Sequence, residues 1–495
     1  MTGSEEPLAG ESIARNTFFS LATQMTTALF TAVLTIYLAR VLGPDDFGVF
    51  ALALGIGGVL LLPADFGISN AAARFIAERR ASPGAAADVF RTAARLRLVA
   101  SGLVCTAMAA AAGPLADAYD EPDLAWAVRG MALAMFGQTA MALYQGTFTA
   151  LRRTSLNLRV VLSKSVVELS ASIAVVAAGA GAAGATFGRA AGYLTGAVVG
   201  LILVLRLLRR GASSEQVAPI GARALARYAV AIAVVEGAVA LFSSVDVLLI
   251  GAISGAAAAG LFQAPMRLVS FLHYPGNALG AGIAPRLARS PGHEPELDAF
   301  RAGLRYLIVL QAWIVVPVLV WAEPMVDLVL GSEYAESAEV LRAVAPFVFL
   351  LGLGPLASLA VNYLGEARRR VPIAITTVVV NVAIDIVLIP EIGIVGAAIG
   401  TDVAYAIYVP AHLWICRRLV GLPLRPLATT FLRTLPAAAA MAGVLALFGT
   451  GEVGVLALLG GALAGSLVFA AGVLATGAIS REEAGELLRR MRPRR

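Results

Sequence analysis

One segment of this chain occurs twice, 212 positions apart. Residues 43–74 and 255–286 carry the same residue types at matching positions: Gly48 and Gly260, Phe50 and Phe262, Pro63 and Pro275, Ala72 and Ala284, Arg74 and Arg286. The same offset relates a second block, in which Gly181, Gly184, Gly188 and Tyr193 match Gly393, Gly396, Gly400 and Tyr405. Matched Pro, Arg, Phe and Tyr are hard to obtain by chance, so the sequence predicts a duplicated unit of roughly 210 residues.

The chain is far more apolar than a soluble domain. Apolar residues make up 59% of it and charged residues only 14%, whereas a soluble domain carries about 25% charge. A spanning helix needs roughly 20 mainly apolar residues, and the alternation typical of strands is absent. Since backbone polar groups in lipid must be satisfied internally, the sequence predicts an all-α integral membrane protein. Long repeats in such a chain are typical of transporters.

The apolar runs predict fourteen spanning helices. Their ranges are 16–40, 47–69, 96–115, 125–150, 160–180, 185–208, 227–252, 258–284, 304–322, 340–364, 371–390, 394–416, 427–448 and 454–478. We therefore expect an N-terminal tail at 1–15, a first six-helix lobe at 16–210, a linker at 211–226, a second lobe at 227–418, two further helices within 427–478 and a basic tail at 479–495. The tail before the first helix is acidic, so that helix is expected to be a retained span rather than a signal peptide.

Loop charge predicts the orientation of the helices. Alternate loops are rich in arginine, as at residues 74–91, 152–159, 206–223, 286–301, 368–370 and 417–425. The intervening loops are acidic or neutral, as at 45–46, 117–123, 323–336, 391 and 452. The positive-inside rule then places both termini in the cytoplasm. Because each repeat contains an even number of spans, the two halves should share one topology, related by an axis along the membrane normal.

Charged residues inside apolar helices are the candidate functional residues, since each costs roughly 2.5–3.5 kcal/mol to insert at a helix centre. The first half contains Arg15, Arg40, Asp65, Arg129, Lys164, Glu168 and Arg189. The second half contains Glu236, Asp246, Arg267, Asp385 and Asp402. The first set is net basic and the second is net acidic, an asymmetry between two copies of one fold.

Several stretches resemble a known family. Residues 14–78, VDVLLIGAISGAAAAGLFQAPMRL, MVDLVLGSEYAESAEVLR and VVVNVAIDIVLIPEIGIVGAAIGT resemble, in that order, the oligosaccharide or polysaccharide flippases of the multidrug/oligosaccharidyl-lipid/polysaccharide (MOP) exporter superfamily. The resemblance implies a V-shaped, MATE-like pair of six-helix lobes around a central cavity in a bacterial or archaeal plasma membrane. It also implies alternating access, with a polyprenyl-diphosphate-linked saccharide carried from the inner to the outer leaflet for cell-surface polysaccharide synthesis.

A diphosphate cargo would require fixed positive charge in the membrane, and arginine suits this because its planar fork binds phosphate oxygens in pairs and stays ionised. We assign the diphosphate to the first half, with Arg129 and Arg15 foremost, Arg267 reaching in from across the cleft, and Arg189, Lys164 and Arg40 as further candidates. Each has an alternative role. Arg15 and Arg40 could extend to the headgroups, Arg129 could anchor at the interface, and Lys164 could pair with Glu168 four residues later.

The carboxylates in the spans could couple transport to a proton or sodium gradient. Asp246, Asp385 and Asp402 are the candidates for this role, with Asn381 on the same helical face as Asp385; Glu168 and Glu236 could act likewise or only balance charge. Pro63 and Pro275 should bend equivalent helices, and Gly184 and Gly396 should allow close helix packing. No cofactor and no metal site is expected, because Cys105 and Cys416 both lie in apolar runs.

Two other functions remain open at this point. A cation-coupled drug antiporter of the same superfamily should have an acidic first half, whereas here that half is basic. A glycan polymerase or glycosyltransferase should have a large outer loop with catalytic acids or bases, yet the outer loops are short and the histidines are only His273, His293 and His412. No nucleophile or nucleotide motif is present, so we expect a transporter and not an enzyme. The expected partners are membrane lipids, the lipid-linked saccharide and other polysaccharide-assembly proteins; we expect a monomer that binds no nucleic acid.

Overall fold

A computed structural model describes residue 11 and residues 13–209, 221–287, 295–451, 453–483 and 485. Over these residues the chain forms eighteen α-helices and divides into two compact units, one up to Gln263 and one from Ala264. The first nine helices are α1 (Ile13–Asp65), α2 (Ile68–Glu78), α3 (Pro83–Ala110), α4 (Ala112–Ala118), α5 (Leu124–Ala150), α6 (Thr154–Ala177), α7 (Gly181–Arg209), α8 (Ala222–Ser254) and α9 (Ala256–Val269).

The remaining helices, which lie in the second unit, are α10 (Tyr274–Ile283), α11 (Leu297–Val320), α12 (Ala322–Val329), α13 (Ser337–Ala343), α14 (Ala345–Tyr363), α15 (Arg370–Ile392), α16 (Ile394–Val420), α17 (Leu424–Leu447) and α18 (Val455–Thr476). Eleven of the described helices are long and apolar enough to cross a membrane. Large apolar side chains are exposed along them, such as Leu447 at 87% and Leu456 at 86%. The predicted all-α, multi-span architecture is confirmed.

Several predicted boundaries differ from the structure. The two predicted helices 16–40 and 47–69 are continuous in α1 except at Gly43. The predicted helix 96–115 begins thirteen residues earlier, at Pro83. The predicted helix 258–284 is interrupted after Val269 by a 3-10 turn, and Pro275 stands in the first turn of α10 after this break, whereas Pro63 lies inside α1. Residues 1–10, most of the expected linker and most of the basic tail are outside the described residues.

Glycines interrupt the helices at equivalent points of the two repeats. Gly43 has φ 66° and ψ 178° within α1, and Gly255, 212 positions later, has φ 87° and ψ 174° between α8 and α9. Residues with a Cβ avoid this conformation, so glycine is needed at both positions. The sequence repeat therefore has a counterpart in the backbone.

The segments after these breaks pack against each other reciprocally within the first unit. A Cβ on Gly48 would lie 1.8 Å from the carbonyl oxygen of Ala256, and a Cβ on Gly260 would lie 2.1 Å from that of Pro44. The offset of 212 relates Gly48 to Gly260 and Pro44 to Ala256. The two repeats thus supply the same contact to each other, and only glycine fits at this separation.

A glycine stripe joins α7 to its neighbours. Glycines recur every fourth residue on one face of α7, at Gly184, Gly188, Gly192, Gly196 and Gly200. A Cβ at Gly188 would lie 2.4 Å from the backbone nitrogen of Ser172 on α6, and one at Gly200 would lie 2.7 Å from the Tyr144 ring on α5. Small residues at this spacing let helix backbones approach closely, so α7 packs tightly on α6 and α5.

The last two helices are tied to α11 within the second unit. The indole nitrogen of Trp321, just after α11, donates hydrogen bonds to the carbonyls of Leu445 (3.2 Å) and Gly449 (3.0 Å). At the other end of α11, Arg305 donates to the hydroxyl of Thr430 (3.1 Å), the carbonyl of Ala478 (3.0 Å) and the carboxylate of Glu483 (2.9 Å). The α17–α18 hairpin is therefore held at both ends.

Candidate functional site

Four side chains of α6 and α7 form a buried charge cluster, which we call the α6–α7 cluster: Lys164, Glu168, Arg189 and Tyr193. Arg189 Nη1 donates to Glu168 Oε1 at 2.8 Å, and Arg189 Nη2 donates to the Tyr193 hydroxyl at 3.2 Å. Lys164 forms an ion pair with Glu168 from the other side. The Lys164 ammonium and the Arg189 guanidinium lie 4.7 and 4.9 Å from the centroid of the Tyr193 ring. Two cations share one carboxylate, so the cluster carries a net charge of +1.

The local sequence explains why the cluster can be buried. Lys164 and Glu168 are four residues apart and so lie on one face of α6. Glycines face them from α7: a Cβ on Gly192 would lie 2.5 Å from Glu168 Cβ, and one on Gly196 would lie 3.0 Å from Lys164 Cβ. Lys164 is 6% exposed and Glu168 is 4% exposed. The pairing predicted as the alternative role of Lys164 is present, and Arg189 joins it.

The equivalent helices of the second unit, α15 and α16, bury a different set of side chains. From Lys164 onward the buried positions of α6 are Lys164, Ser165, Glu168, Ser172 and Val176, and those of α15 are Thr377, Val378, Asn381, Asp385 and Ile389. Each is 213 positions after its counterpart, one more than the offset of the helices that follow, so the turn between α15 and α16 is one residue shorter than the turn between α6 and α7. In the second copy Thr377 replaces Lys164, Asn381 replaces Glu168 and Asp385 replaces Ser172.

Asp385 and Asn381 are fully buried and in contact. The Asn381 amide nitrogen donates to both oxygens of Asp385, at 3.2 and 3.3 Å. Gly400 of α16 faces them, since a Cβ there would lie 2.1 Å from Asp385 Oδ1. Thr401, 212 positions after Arg189, is also buried. The buried positions of α15 and α16 include no Lys or Arg, so this half presents oxygen ligands where the first half presents cations.

The other candidate carboxylates have separate environments. Asp402 of α16 accepts the backbone N–H of Phe347 at 2.8 Å, in the first turn of α14. This contact favours a structural role at a helix N-terminus. Asp246 is 7% exposed, on the part of α8 that packs against α1 through Val247 and Gly55. Glu236 lies in α8, but its side chain is outside the described part of the structure.

Arg15 stands at the start of α1 with 61% of its side chain exposed. Its guanidinium is 3.6 Å from Glu11 and 5.5 Å from the ring of Phe19. Glu11 accepts the backbone N–H of Ser155 at 3.1 Å, which ties this end of α1 to the start of α6. The environment of Arg15 matches its alternative role at a helix end.

The remaining predicted arginines lie at three separate places. Arg129 is half-buried one turn into α5, with its guanidinium 4.6 Å from the ring of the exposed Trp126. An arginine stacked on an exposed tryptophan near a helix start is typical of an interfacial anchor. Arg40 is exposed near the Gly43 break, and Arg267 is half-buried in the last turn of α9.

The predicted glycine contacts are found at two turns. A Cβ on Gly184 would lie 3.1 Å from Val175 Cγ1, and one on Gly396 would lie 2.6 Å from the carbonyl carbon of Leu388. Each glycine therefore closes the turn between two antiparallel helices, α6 with α7 and α15 with α16.

Sequence reasoning missed Arg97, a buried arginine of α3 that is 5% exposed. Its Nη1 donates to the carbonyl of Phe136 and to the hydroxyl of Thr139, both at 3.3 Å. The predicted helix began at residue 96, which put Arg97 at the end of a span rather than well inside it. The Ser82–Pro83 pair is a helix-start signal and would have placed Arg97 well inside the helix.

Residues 13–290 match the family described as "Polysaccharide biosynthesis protein", and residues 231–387 match the one described as "MatE". The first match covers more than half of the chain. The chain belongs to the polysaccharide biosynthesis protein family. This family membership confirms the resemblance to the MOP superfamily and places the chain among membrane transporters, which removes the polymerase and glycosyltransferase alternative.

Members of this superfamily with known structures share the fold. The chain is 23% identical over 382 residues to the "Probable low-salt glycan biosynthesis flippase Agl15" of Haloferax volcanii, which covers 76% of this chain and 77% of that protein. It is similar to the lipid II flippase MurJ in an inward closed conformation (TM-score 0.70, 11% identity, 92% and 98% of the two chains). It is also similar to an inward-facing multidrug resistance MATE transporter (TM-score 0.62, 15% identity, 80% and 95%). At these identities the solved structures show the fold alone, which is that of MurJ and MATE proteins.

Proposed function

We propose that this polysaccharide biosynthesis protein moves a polyprenyl-diphosphate-linked oligosaccharide from the inner to the outer leaflet of the plasma membrane by alternating access, for the synthesis of cell-surface polysaccharide. The family supports the biosynthetic process, and the similarity to Agl15, a probable glycan biosynthesis flippase, supports the kind of cargo. The fold supports a transport mechanism without a covalent step.

The observation that carries the proposal is the net positive α6–α7 cluster. Lys164 is buried and Arg189 is partly buried, both in helices long and apolar enough to span the membrane, and Glu168 neutralises only one of them. A fixed, desolvated positive charge attracts an anionic headgroup more strongly than a charge in water does. Arg189 keeps 18% of its side chain exposed, and its buried Nε has no hydrogen-bond partner among the described residues. This donor is suited to a phosphate or saccharide oxygen.

The proposal includes fourteen spans in two halves of six, followed by two more. Eleven candidate spans become fourteen when three further passes are counted. At 53 residues, α1 is about 80 Å long, against about 30 Å of hydrocarbon, so its break at Gly43 divides two passes. The helix α5 and the pair α9 and α10 supply the others. Loop arginines then place both termini in the cytoplasm.

We also propose that the second half couples transport to a cation gradient at Asp385, Asn381 and Thr401. The carboxylate, the amide oxygen and the hydroxyl are all ligands that a hard cation accepts. The Asn381 amide oxygen is buried with no hydrogen-bond partner among the described residues. The corresponding positions of the first half hold Ser172, Glu168 and Arg189, and Glu168 is already paired with Lys164 and Arg189, so coupling is expected in the second half only. A protonated Asp385 would serve a proton gradient in the same place.

The test is binding of a polyprenyl-diphosphate saccharide to the full chain in nanodiscs. Arg189→Gln should weaken binding by roughly tenfold or more, because a charge-assisted hydrogen bond is lost. Arg129→Gln and Arg267→Gln test the other candidate arginines in the same assay. Arg301→Gln is the matched control, since Arg301 is paired with the exposed Asp298 at 3.0 Å.

The outcomes separate the proposal from the antiporter alternative. Saturable binding that Arg189→Gln weakens and a monovalent drug cation leaves unchanged supports a lipid-linked saccharide flippase. Drug-cation binding that survives Arg189→Gln, together with no saccharide binding by the wild type, would support the antiporter. Loss of sodium- or proton-dependent transport in Asp385→Asn, with saccharide binding retained, would locate coupling in the second half.

A further inference from the structure

The last two turns of α16 carry an open surface cleft outside the proposed transport site. It is lined by three exposed side chains of this one helix, Trp414, Arg417 and Arg418, and its volume is about 440 Å³. The guanidinium of Arg418 lies 4.6 Å from the centroid of the Trp414 ring. We call these three residues the α16 pocket. Two arginines and an indole face one space that is large enough for a small polar headgroup.

The α16 pocket is positive, and no carboxylate of the described residues forms an ion pair with it. Many loop and helix-end arginines of the described chain pair with Asp or Glu within 4.0 Å: Arg74, Arg91, Arg286, Arg301, Arg342 and Arg369. Within the described residues, Arg417 and Arg418 have no such ion pair. The negative C-terminal end of the α16 dipole favours cations here. This dipole acts on the charge of the arginines but leaves their guanidinium N–H donors available for a ligand.

The pocket lies where an apolar span ends. The helix α16 is one of the candidate membrane spans and ends at Val420. Trp414 is 50% exposed, and tryptophan is enriched at the boundary between hydrocarbon and headgroups. A ligand at this level can therefore keep a phosphate on the arginines and an acyl chain in the hydrocarbon.

We propose that the α16 pocket binds a lipid-borne phosphate group. Arg417 and Arg418 would donate to its oxygens, since the planar guanidinium binds phosphate in a bidentate manner. The Trp414 ring holds Arg418 in place and covers the first carbons of the lipid. Basic pockets at helix ends are known to bind anionic headgroups. The same phosphate chemistry is found in a bilayer phospholipid and in the diphosphate of a lipid-linked saccharide, and the experiment distinguishes them.

The test measures lipid binding to the purified full chain by native mass spectrometry. The ligands are phosphatidylglycerol, phosphatidylcholine, a polyprenyl diphosphate and inorganic phosphate. Arg417→Gln/Arg418→Gln should weaken binding of one lipid phosphate by roughly tenfold or more, because two basic contacts are lost. Arg79→Gln/Arg80→Gln is the matched control, because these adjacent arginines also stand at the C-terminal end of a helix, α2. Trp414→Leu should weaken binding of the same ligand to a smaller extent.

Each outcome decides the proposal. Loss confined to phosphatidylglycerol assigns the pocket to a bilayer lipid, and loss confined to the polyprenyl diphosphate assigns it to the transported class. Equal losses in the control double variant, equal binding of phosphatidylcholine, or binding of free phosphate alone would overturn it. The variant Arg417→Lys/Arg418→Lys keeps the charge but removes the planar fork, so intermediate binding is expected. Unchanged thermal unfolding of the double variants verifies that a loss comes from the pocket.

Discussion

Glu168 is the residue on which the α6–α7 cluster depends, because it contacts both Lys164 and Arg189. Glu168→Gln would leave two buried cations without a carboxylate in the cluster. Breaking a buried ion pair in this way costs roughly 3–5 kcal/mol. We expect a loss of this size in the free energy of unfolding in detergent. Glu323→Gln is the control, since its exposed pair with Arg342 should contribute no more than about 1 kcal/mol. Equal losses in the two variants would contradict the buried arrangement.

Gly192 provides a second test at the residue scale. In Gly192→Ala the new Cβ would lie 2.5 Å from Glu168 Cβ and 2.8 Å from the Lys164 carbonyl oxygen. Since part of this contact is backbone, α6 and α7 must separate, at a cost of roughly 1–3 kcal/mol. Gly443→Ala has no atom within 4 Å of its new Cβ and should be neutral or stabilising by up to about 1 kcal/mol. Thermal unfolding of both variants measures the difference, and an unchanged Gly192→Ala would contradict the close packing.

Local spacing predicted part of this site. The interval of four residues between Lys164 and Glu168 predicted their pairing, which the structure contains. Arg189 is 21 residues from Glu168, and its addition depends on how α7 packs on α6, which spacing does not determine. The burial of Asn381 beside Asp385 was likewise indicated by their shared face, whereas the bond from Phe347 to Asp402 joins residues 55 positions apart and was not predictable.

At the scale of elements, Arg305 holds the end of the α17–α18 hairpin to α11. Arg305→Ala would remove its bonds to Thr430, Ala478 and Glu483, and hydrogen bonds to charged groups contribute roughly 1.5–3 kcal/mol. We expect faster hydrogen exchange at the C-terminal end of α18, with the rest of the second unit unchanged. Arg301→Ala, one turn earlier on the same helix and paired with an exposed carboxylate, should have no such effect. Equal exchange in both variants would contradict the contact.

The same contact predicts a response to pH. Burial alone would raise the pKa of the Glu483 carboxyl, but hydrogen bonds from Ser480 and Arg305 hold that pKa below its ordinary value. A carboxyl with a lower pKa in the folded state stabilises it at pH values above the unfolded pKa, and this stabilisation is lost as the pH falls through the folded pKa. The protection factor at the end of α18, which corrects the exchange rate for the pH-dependent intrinsic rate, should therefore fall in acid and stay constant between roughly pH 6 and 8. In Glu483→Gln this fall should be absent.

The helix boundaries show how much of the fold could be predicted from the sequence pattern. The predicted helices 427–448 and 454–478 agree with α17 and α18 within a few residues, because long apolar runs mark spans clearly. The contact from Arg305 was not predicted, since its partners are 125 to 178 residues away. The start of α3 was missed because its first turns contain charged residues, and only the Ser82–Pro83 signal marked it.

At the scale of the whole molecule, the orientation of the chain can be tested with single cysteines. Cys105 and Cys416 are both buried, so the background labelling should be low. Ser332→Cys lies in an acidic loop and Ala81→Cys in a basic one, and both positions are exposed. The positive-inside rule predicts that an impermeant maleimide labels Ser332→Cys in intact cells and Ala81→Cys only after permeabilisation. The opposite labelling pattern would contradict the proposed orientation, in which both termini are cytoplasmic.

The duplication was visible in the sequence because glycine is required at the breaks of both copies, at Gly43 and Gly255. In the sequence, the contrast between the two halves was visible only as a difference in net charge, with the first half basic and the second half acidic. Glu168 and Asn381 are equivalent positions only when the two halves are aligned with an offset of 213 residues rather than 212. One residue gained before α15 and one lost at the turn before α16 hide this equivalence from a gapless comparison, and the structure restores it.

The α6–α7 cluster also constrains how the protein enters the membrane during synthesis. Taken alone, α6 carries its own neutral pair, Lys164 with Glu168, whereas Arg189 of α7 has its carboxylate partner on α6. Inserting α7 alone would place an uncompensated arginine in lipid, at roughly 2.5–3.5 kcal/mol on insertion scales. Because α6 leaves the ribosome first, the acceptor for Arg189 is already present when α7 arrives. We therefore expect the two helices to be integrated together as a hairpin, with Glu168 of α6 already present to pair with Arg189 of α7.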